Sequence, residues 1–161
     1  MRDLIICGCG VHGCEMAEIV ERVNAASPTW RLRGFLAFGS LPEQTSFMGL
    51  PVLGTEADLN RFSDAALVPD NGLPKDVELP RDRCVSLIDP SCFVSRTATI
   101  GVGCVLYPHC YVGLNATVGD FTFCLSRSVI NHDDVITGRV VMATGATLAG
   151  FVTVEEGAYM G

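Results

Sequence analysis

The chain of 161 residues contains three histidines, His12, His109 and His132, and only His132 is followed at once by two carboxylates, Asp133 and Asp134. Imidazole is the side chain that ordinarily titrates nearest neutral pH, so it can take a proton from an incoming amine or hydroxyl. A carboxylate beside it can orient the ring and stabilise its protonated form. The competing reading is a solvated surface pair without chemistry. A second cluster is Cys7-Gly-Cys-Gly-Val-His-Gly13, whose Gly8, Gly10 and Gly13 have the GxGxxG spacing. Glycines at that spacing let backbone N–H groups at a helix N-terminus approach a phosphate. Cys7, Cys9, His12 and Cys14 are also soft metal ligands. A strand running into a helix would point those four side chains in different directions, which argues against zinc, and no metal is expected.

The glycine turn has the context it needs. Leu4-Ile-Ile-Cys7 reads as a short buried strand, and Met16, Ile19, Val20 and Val23 fall at helical spacing after the turn. A second strand is expected over 32–38. It ends in Ala37, Phe38, Gly39 and Ser40, without the acidic residue that grips ribose hydroxyls in redox dinucleotide proteins, which argues against NAD. Thr55 can cap a short helix running to Phe62, and 65–68 reads as another strand. Residues 69–83 are rich in proline and charge, and a boundary is expected at 83–88. Two domains follow, 1–83 and 84–161.

The second domain carries a different signal. From Ile88 to Met160 every sixth residue is apolar, thirteen positions in succession in a chain that is 48% apolar. Chance would produce such a run roughly once in ten thousand trials. Four residues behind each large apolar position runs a column of small or compact side chains, from Cys92 through Cys104 and Cys110 to Ala158, with Asp134 as its only charged member. A strict period of six fits neither a flat strand pair nor a helix. It fits a solenoid of three six-residue sides per coil, about four coils and about 20 Å tall at about 4.8 Å per coil. Glycines one residue past the apolar step, at Gly101, Gly113 and Gly119, mark tight corners or close backbone approach. In this register His132 and Asp133 occupy a corner, where side chains leave the prism and can reach a neighbouring subunit. Asp134 intrudes on the interior, a local rule-breaking that often marks function.

Composition narrows the partners. A net charge of −7 with a single lysine, Lys75, lacks the basic surface that phosphate-backbone binding requires, so nucleic acid is not expected. No apolar run reaches the about 18 residues needed to span a bilayer, and the start Met-Arg-Asp lacks a leader pattern. Eight cysteines without a metal-type CxxC pair fit a cytoplasmic, reducing compartment in which thiols pack without disulfides.

These features together resemble the left-handed β-helix acyltransferases with hexapeptide repeats, and within them the bacterial PglD and NeuD family of sugar N- or O-acetyltransferases. The residues that carry the resemblance are Ile88-Asp-Pro-Ser91, Val129-Ile-Asn-His-Asp133 and Gly145-Ala-Thr-Leu-Ala-Gly150, with the N-terminal glycine turn. It covers nearly all of the chain. The fold it implies is α/β plus all-β, a small Rossmann-like sugar-nucleotide domain followed by a left-handed parallel β-helix, assembled as a homotrimer with active sites between subunits. The activity it implies is transfer of an acetyl group from acetyl-CoA to an amino or hydroxyl group of a sugar or nucleotide sugar.

Carried over residue by residue, His132 is the general base and Asp133 raises its basicity. The Gly150 amide holds the oxyanion, with a plain corner glycine as the alternative. Gly8, Gly10, Val11 and His12 line the acceptor pocket. The sequence departs from the family at three places: Ala37-Phe38 stand for two acids, Pro69 for a glycine, and Val141 for a second histidine that contacts acetyl-CoA. The family also continues for further coils beyond the position of Gly161. Trimeric zinc hydratases share such a coil, but His12, His109 and His132 cannot readily converge on one metal. A non-catalytic sugar-nucleotide-binding scaffold and an O-acetyltransferase for a free sugar such as sialic acid remain as alternatives.

Overall fold

In the computed structural model, which describes all 161 residues, the N-terminal apolar run forms strand β1 (Arg2–Cys7) and the glycine turn leads directly into helix α1 (Val11–Ala26). The helix starts without a side-chain cap because Gly10 holds the cap position. It returns the chain to β2 (Trp30–Ala37), which pairs with β1 in parallel. A short β3 (Ser46–Phe47) and β4 (Leu50–Thr55) follow, neither of which was expected from the sequence. Next come a 3-10 helix (Glu56–Phe62) and β5 (Ala66–Pro69). The expected cap at Thr55 closes through its own N–H, which donates to Asp58 Oδ2 at 3.0 Å.

The sheet order is β3-β4-β2-β1-β5, with every pairing parallel except β3 with β4. Its core is Leu4, Ile5, Ile6, Phe35, Leu36, Leu67 and Val68 with Met16 and Val20 from the helix, all buried. The carboxyl ends of β1 and β5 lie side by side, since Cys7 pairs with Pro69.

The chain divides into two units, Met1–Val85 and Ser86–Gly161. The second is the coil. Its two-residue strands stack in parallel into three sheets, and each residue pairs with the one 18 positions on. One sheet holds Phe93–Val94, Tyr111–Val112 and Val129–Ile130. The next holds Thr99–Ile100, Thr117–Val118, Val135–Ile136 and Thr153–Val154. The third runs from Leu87–Ile88 through Val105–Leu106, Phe123–Cys124 and Val141–Met142 to Tyr159–Met160. This parallel stacking fits a left-handed β-helix.

Strands of two residues cannot hold a coil by pairing alone. The interior does: Leu106, Val112, Val118, Cys124, Ile130, Ile136 and Met142 are each at most 1% exposed. Burying such a side chain is worth about 1.5–3 kcal/mol. The sixfold column read from the sequence is this interior.

The corners correct one detail. Backbone φ is positive at every sixth residue from Gly103 to Gly157, and seven of those ten corner residues are not glycine: His109, Asn115, Phe121, Arg127, Asp133, Arg139 and Phe151. The left-handed residue thus falls three positions after the apolar step, whereas the glycines one position after it answer to close approach. A Cβ on Gly113 would sit 2.7 Å from His132 N and 2.8 Å from Asn131 C of the adjacent coil. All eight cysteines are free thiols, and no helix is long and apolar enough to cross a membrane.

Candidate functional site

The ladder bonds of Ile130 and the left-handed backbone at Asp133 (φ 58°) turn His132 and Asp133 outward at the corner that follows the strand Val129–Ile130. There His132 Nδ1 lies 2.9 Å from Asp133 Oδ2, with the two side chains 53% and 33% exposed. Asp133 Oδ1 accepts a second hydrogen bond, 3.1 Å from Asn115 Nδ2, on the coil 18 residues earlier. These two donors, His132 first and Asn115 second, hold the Asp133 carboxyl below the usual carboxylate range against a small desolvation penalty. With Asp133 ionised, the hydrogen bond places the imidazole proton on Nδ1 and leaves Nε2 free to accept one. Asn115 was missed in the sequence, although its spacing of 18 from Asp133 is the signal that finds it.

The other side of the ring meets the next coil. Gly150 (φ 95°) stands so close that a Cβ on it would lie 3.1 Å from Nε2 and 3.2 Å from Cε1 of His132. Its N–H donates to no group of the chain, as is also true of Gly138 and Thr144 at the same place on earlier corners, so contact with the imidazole is what sets Gly150 apart. Phe151 N donates to His132 O at 3.3 Å, and the Phe151 ring packs against the imidazole at 5.2 Å in a T-shaped arrangement.

Asp134 plays a different part from its neighbour. It is fully buried, with Oδ2 accepting from Asn131 N at 2.7 Å and Oδ1 from Val152 N at 2.8 Å. It therefore ties two coils together beneath the corner and does not orient the ring. Asn131 adds a third tie, its amide donating to Leu148 O at 2.5 Å.

In the first unit, Gly8, Gly10, Val11 and His12 lie where β1 passes into α1, at the carboxyl end of the sheet. That end, beside a change in strand order, is where parallel sheets bind ligands. Gly8 (φ 137°) is in close contact with the Asp70 carboxyl, which packs over its Cα. Burial raises the pKa of Asp70, while the Gly72 N–H at 2.7 Å and the nearby His12 partly offset this. His12 Nδ1 is 3.2 Å from Glu15 Oε2.

The Glu56 carboxylate accepts from Gly39 N at 2.8 and 3.1 Å.

No three His, Cys, Asp or Glu side chains converge to hold a metal, and burial holds the Cys9 thiol up at about 11. His109 is an exposed corner residue whose N–H donates to Ser91 Oγ at 3.0 Å. Val141, where the family places a second histidine, is half-buried on the outer face of the third sheet.

No family model matches the chain. It is 31% identical over 116 residues to the acyl-[acyl-carrier-protein]–UDP-N-acetylglucosamine O-acyltransferase of Campylobacter concisus, covering 70% of this chain and 42% of that one. It is 30% identical over 77 residues to the GDP-perosamine N-acetyltransferase of Escherichia coli, covering 48% of this chain and 35% of that one. The chain thus spans less than half the length of these curated relatives.

Among solved structures, the acetyltransferase domain of PglB from Neisseria gonorrhoeae, in complex with acetyl coenzyme A, matches 98% of this chain and 78% of its own with a TM-score of 0.77 at 23% identity. A histidine-to-alanine variant of the GDP-perosamine N-acetyltransferase of Caulobacter crescentus, solved with CoA and GDP-perosamine, matches 100% and 89% with a TM-score of 0.71 at 18% identity. The resemblance to hexapeptide-repeat sugar acyltransferases is therefore borne out, by sequence in the curated relatives and by fold in the structures.

Proposed function

We propose that the chain transfers an acetyl group from acetyl-CoA to an amino or hydroxyl group of a sugar or nucleotide-linked sugar, with His132 as general base. The observation that carries this reading is the chain of contacts Asn115–Asp133–His132 with Gly150 against Nε2. Asn115 and Asp133 fix the ring and its tautomer. Nε2 takes the proton of the acceptor's amine or hydroxyl as that atom attacks the thioester carbonyl. The Gly150 N–H, which donates to no group of the chain, is read as the donor that stabilises the oxyanion developing there. The protonated imidazole then gives its proton to the departing thiolate, so the base is restored and the products are the acetylated sugar and CoA. That the sequence relatives act on UDP- and GDP-linked sugars supports a nucleotide-sugar acceptor.

The first unit is read as a small Rossmann-like domain, supported by its β1–α1–β2 crossover and the parallel order β4-β2-β1-β5. Gly8, Gly10, Val11 and His12 are its acceptor-binding turn. The exposed stack of Phe93 on Tyr111, 5.1 Å apart on one coil face, supports assembly with copies of the chain as a homotrimer. Acetyl-CoA is then read as lying along the coil between subunits, in a cytoplasmic setting. Ala37 and Phe38 at the end of β2 favour a second reading, in which the acceptor is a free sugar such as sialic acid.

The test is to incubate the protein with acetyl-CoA and a panel of amino-sugar nucleotides, free amino sugars and sialic acid, reading CoA thiol release and product mass. Acetylation of a panel member is the expected result. Absence of acetylation for every member, with acetyl-CoA bound, would overturn the reading.

A further inference from the structure

Phe151 is an unusual residue to find at this corner. On the same edge the two preceding coils place Asn115 and Asp133, both polar, at the equivalent left-handed position. At the adjacent edge the equivalent aromatic, Phe121, has the Arg139 guanidinium over its ring at 5.4 Å. Phe151 remains 78% exposed, and its ring meets the His132 imidazole at 5.2 Å and 84°. A left-handed backbone is unfavourable for a bulky side chain, and exposing a phenyl ring gains nothing in burial.

The position of the ring is defined by the reacting atom. Nε2 lies against Gly150 and the Phe151 ring lies 5.2 Å from the imidazole, so a molecule that gives its proton to Nε2 has the Phe151 ring within reach of the skeleton that bears it. A pyranose has one hydrogen-bonding rim and two apolar C–H faces. An aromatic ring beside the base offers the surface that such a face covers.

We propose that Phe151 is the platform on which the acceptor's sugar ring lies, holding its amine or hydroxyl at His132 Nε2 and selecting pyranose rings through their apolar face, independently of any nucleotide. This rests on the reading of His132 as the base for sugar acetylation, and Phe151 itself takes no proton.

The experiment measures binding of methyl glycosides of 2-amino and 4-amino hexoses and of sialic acid, which carry no nucleotide, to the full chain by saturation-transfer and chemical-shift NMR. It then measures KM and kcat with acetyl-CoA. For at least one glycoside the platform predicts upfield shifts of ring C–H protons. In Phe151→Ala affinity should fall about tenfold, the worth of one stacking contact, while Phe151→Tyr retains it. KM for the acceptor should rise in parallel, with acetyl-CoA binding unchanged.

Equal glycoside binding by wild type and Phe151→Ala, or no glycoside binding by the wild type, would overturn the platform. So would a change in particle mass on Phe151→Ala, which would assign the ring to a contact between copies. Glycoside binding at Phe151 with no acetyl transfer to any glycoside or nucleotide-linked sugar would instead defeat the acetyltransferase reading and leave Phe151 as a sugar-binding surface alone. Transfer with an unchanged acceptor KM in Phe151→Ala would do the reverse.

Discussion

Asp133 and Asp134 are adjacent in sequence, yet the structure gives them opposite dependences, and replacing each by asparagine separates them. Asp134 is fully buried and both of its oxygens accept backbone N–H groups, from Asn131 at 2.7 Å and Val152 at 2.8 Å. An asparagine there keeps one acceptor and turns an NH2 group toward the other N–H. One hydrogen bond to a charged group is lost, worth about 1.5–3 kcal/mol, and a buried donor is left unpaired at about 1–3 kcal/mol more. The sum is about 2.5–6 kcal/mol. For a unit the size of Ser86–Gly161 that lowers the melting temperature by at least about 10 °C.

Asp133→Asn is the opposite case. The residue sits in the left-handed region, which asparagine tolerates as well as aspartate, and its side chain is at the surface. Melting should stay within about 4 °C of wild type, while acetyl transfer falls because the imidazole loses its anionic partner. Thermal unfolding followed by far-UV circular dichroism, beside a thiol-release assay, reads both effects. An Asp134→Asn protein that melts with wild type, or an Asp133→Asn protein that loses as much stability, would refute the division of roles.

Gly150→Ala should cost at least tenfold in acetyl transfer, because the new Cβ would lie 3.1 Å from Nε2 and a φ of 95° is a strained conformation for alanine; comparing kcat with the melting temperature separates the two effects. Asn115→Ala removes the second of the two hydrogen bonds that hold the Asp133 carboxyl down, so its pKa should rise toward the usual value in a carbon-13 NMR titration. A carboxyl lowered by folding stabilises the native state above its unfolded pKa and loses that contribution as pH falls through the folded value. The acid-dependent loss of stability at the corner should accordingly be smaller and complete at a higher pH in Asn115→Ala, and an unshifted carbon titration would count against the contact at 3.1 Å.

How far the sequence carried depended on whether a contact repeats. The interior column from Leu106 to Met142 was readable because every coil asks the same of its sixth residue, a large apolar side chain, and the period survives single exceptions. His132 and Asp133 were readable because neighbours in sequence on a tight corner stay neighbours in space. Asn115 and Phe151 were not singled out, since each reaches the imidazole corner from an adjacent coil and nothing in its own local sequence marks it. The rule-breaking Asp134 reads from the sequence as a mark of function, and only the positions of the Asn131 and Val152 N–H groups give it a structural role. In the first unit β3 and β4 escaped notice because Pro51 and the glycines Gly49 and Gly54 interrupt the alternation that marks a strand. Likewise Glu56 reaches Gly39 from 17 residues away, outside any local motif.

The central claim is that the imidazole on the coil's outer edge removes the acceptor's proton. Its most direct measurement compares single-turnover acetyl transfer from acetyl-CoA by wild type and His132→Ala, at an acceptor concentration that saturates both and with acetyl-CoA affinity determined separately. Loss of a general base predicts a rate lower by about 10²–10⁴-fold with acetyl-CoA affinity unchanged. A His132→Ala protein that transfers acetyl within about threefold of the wild-type rate would contradict the account.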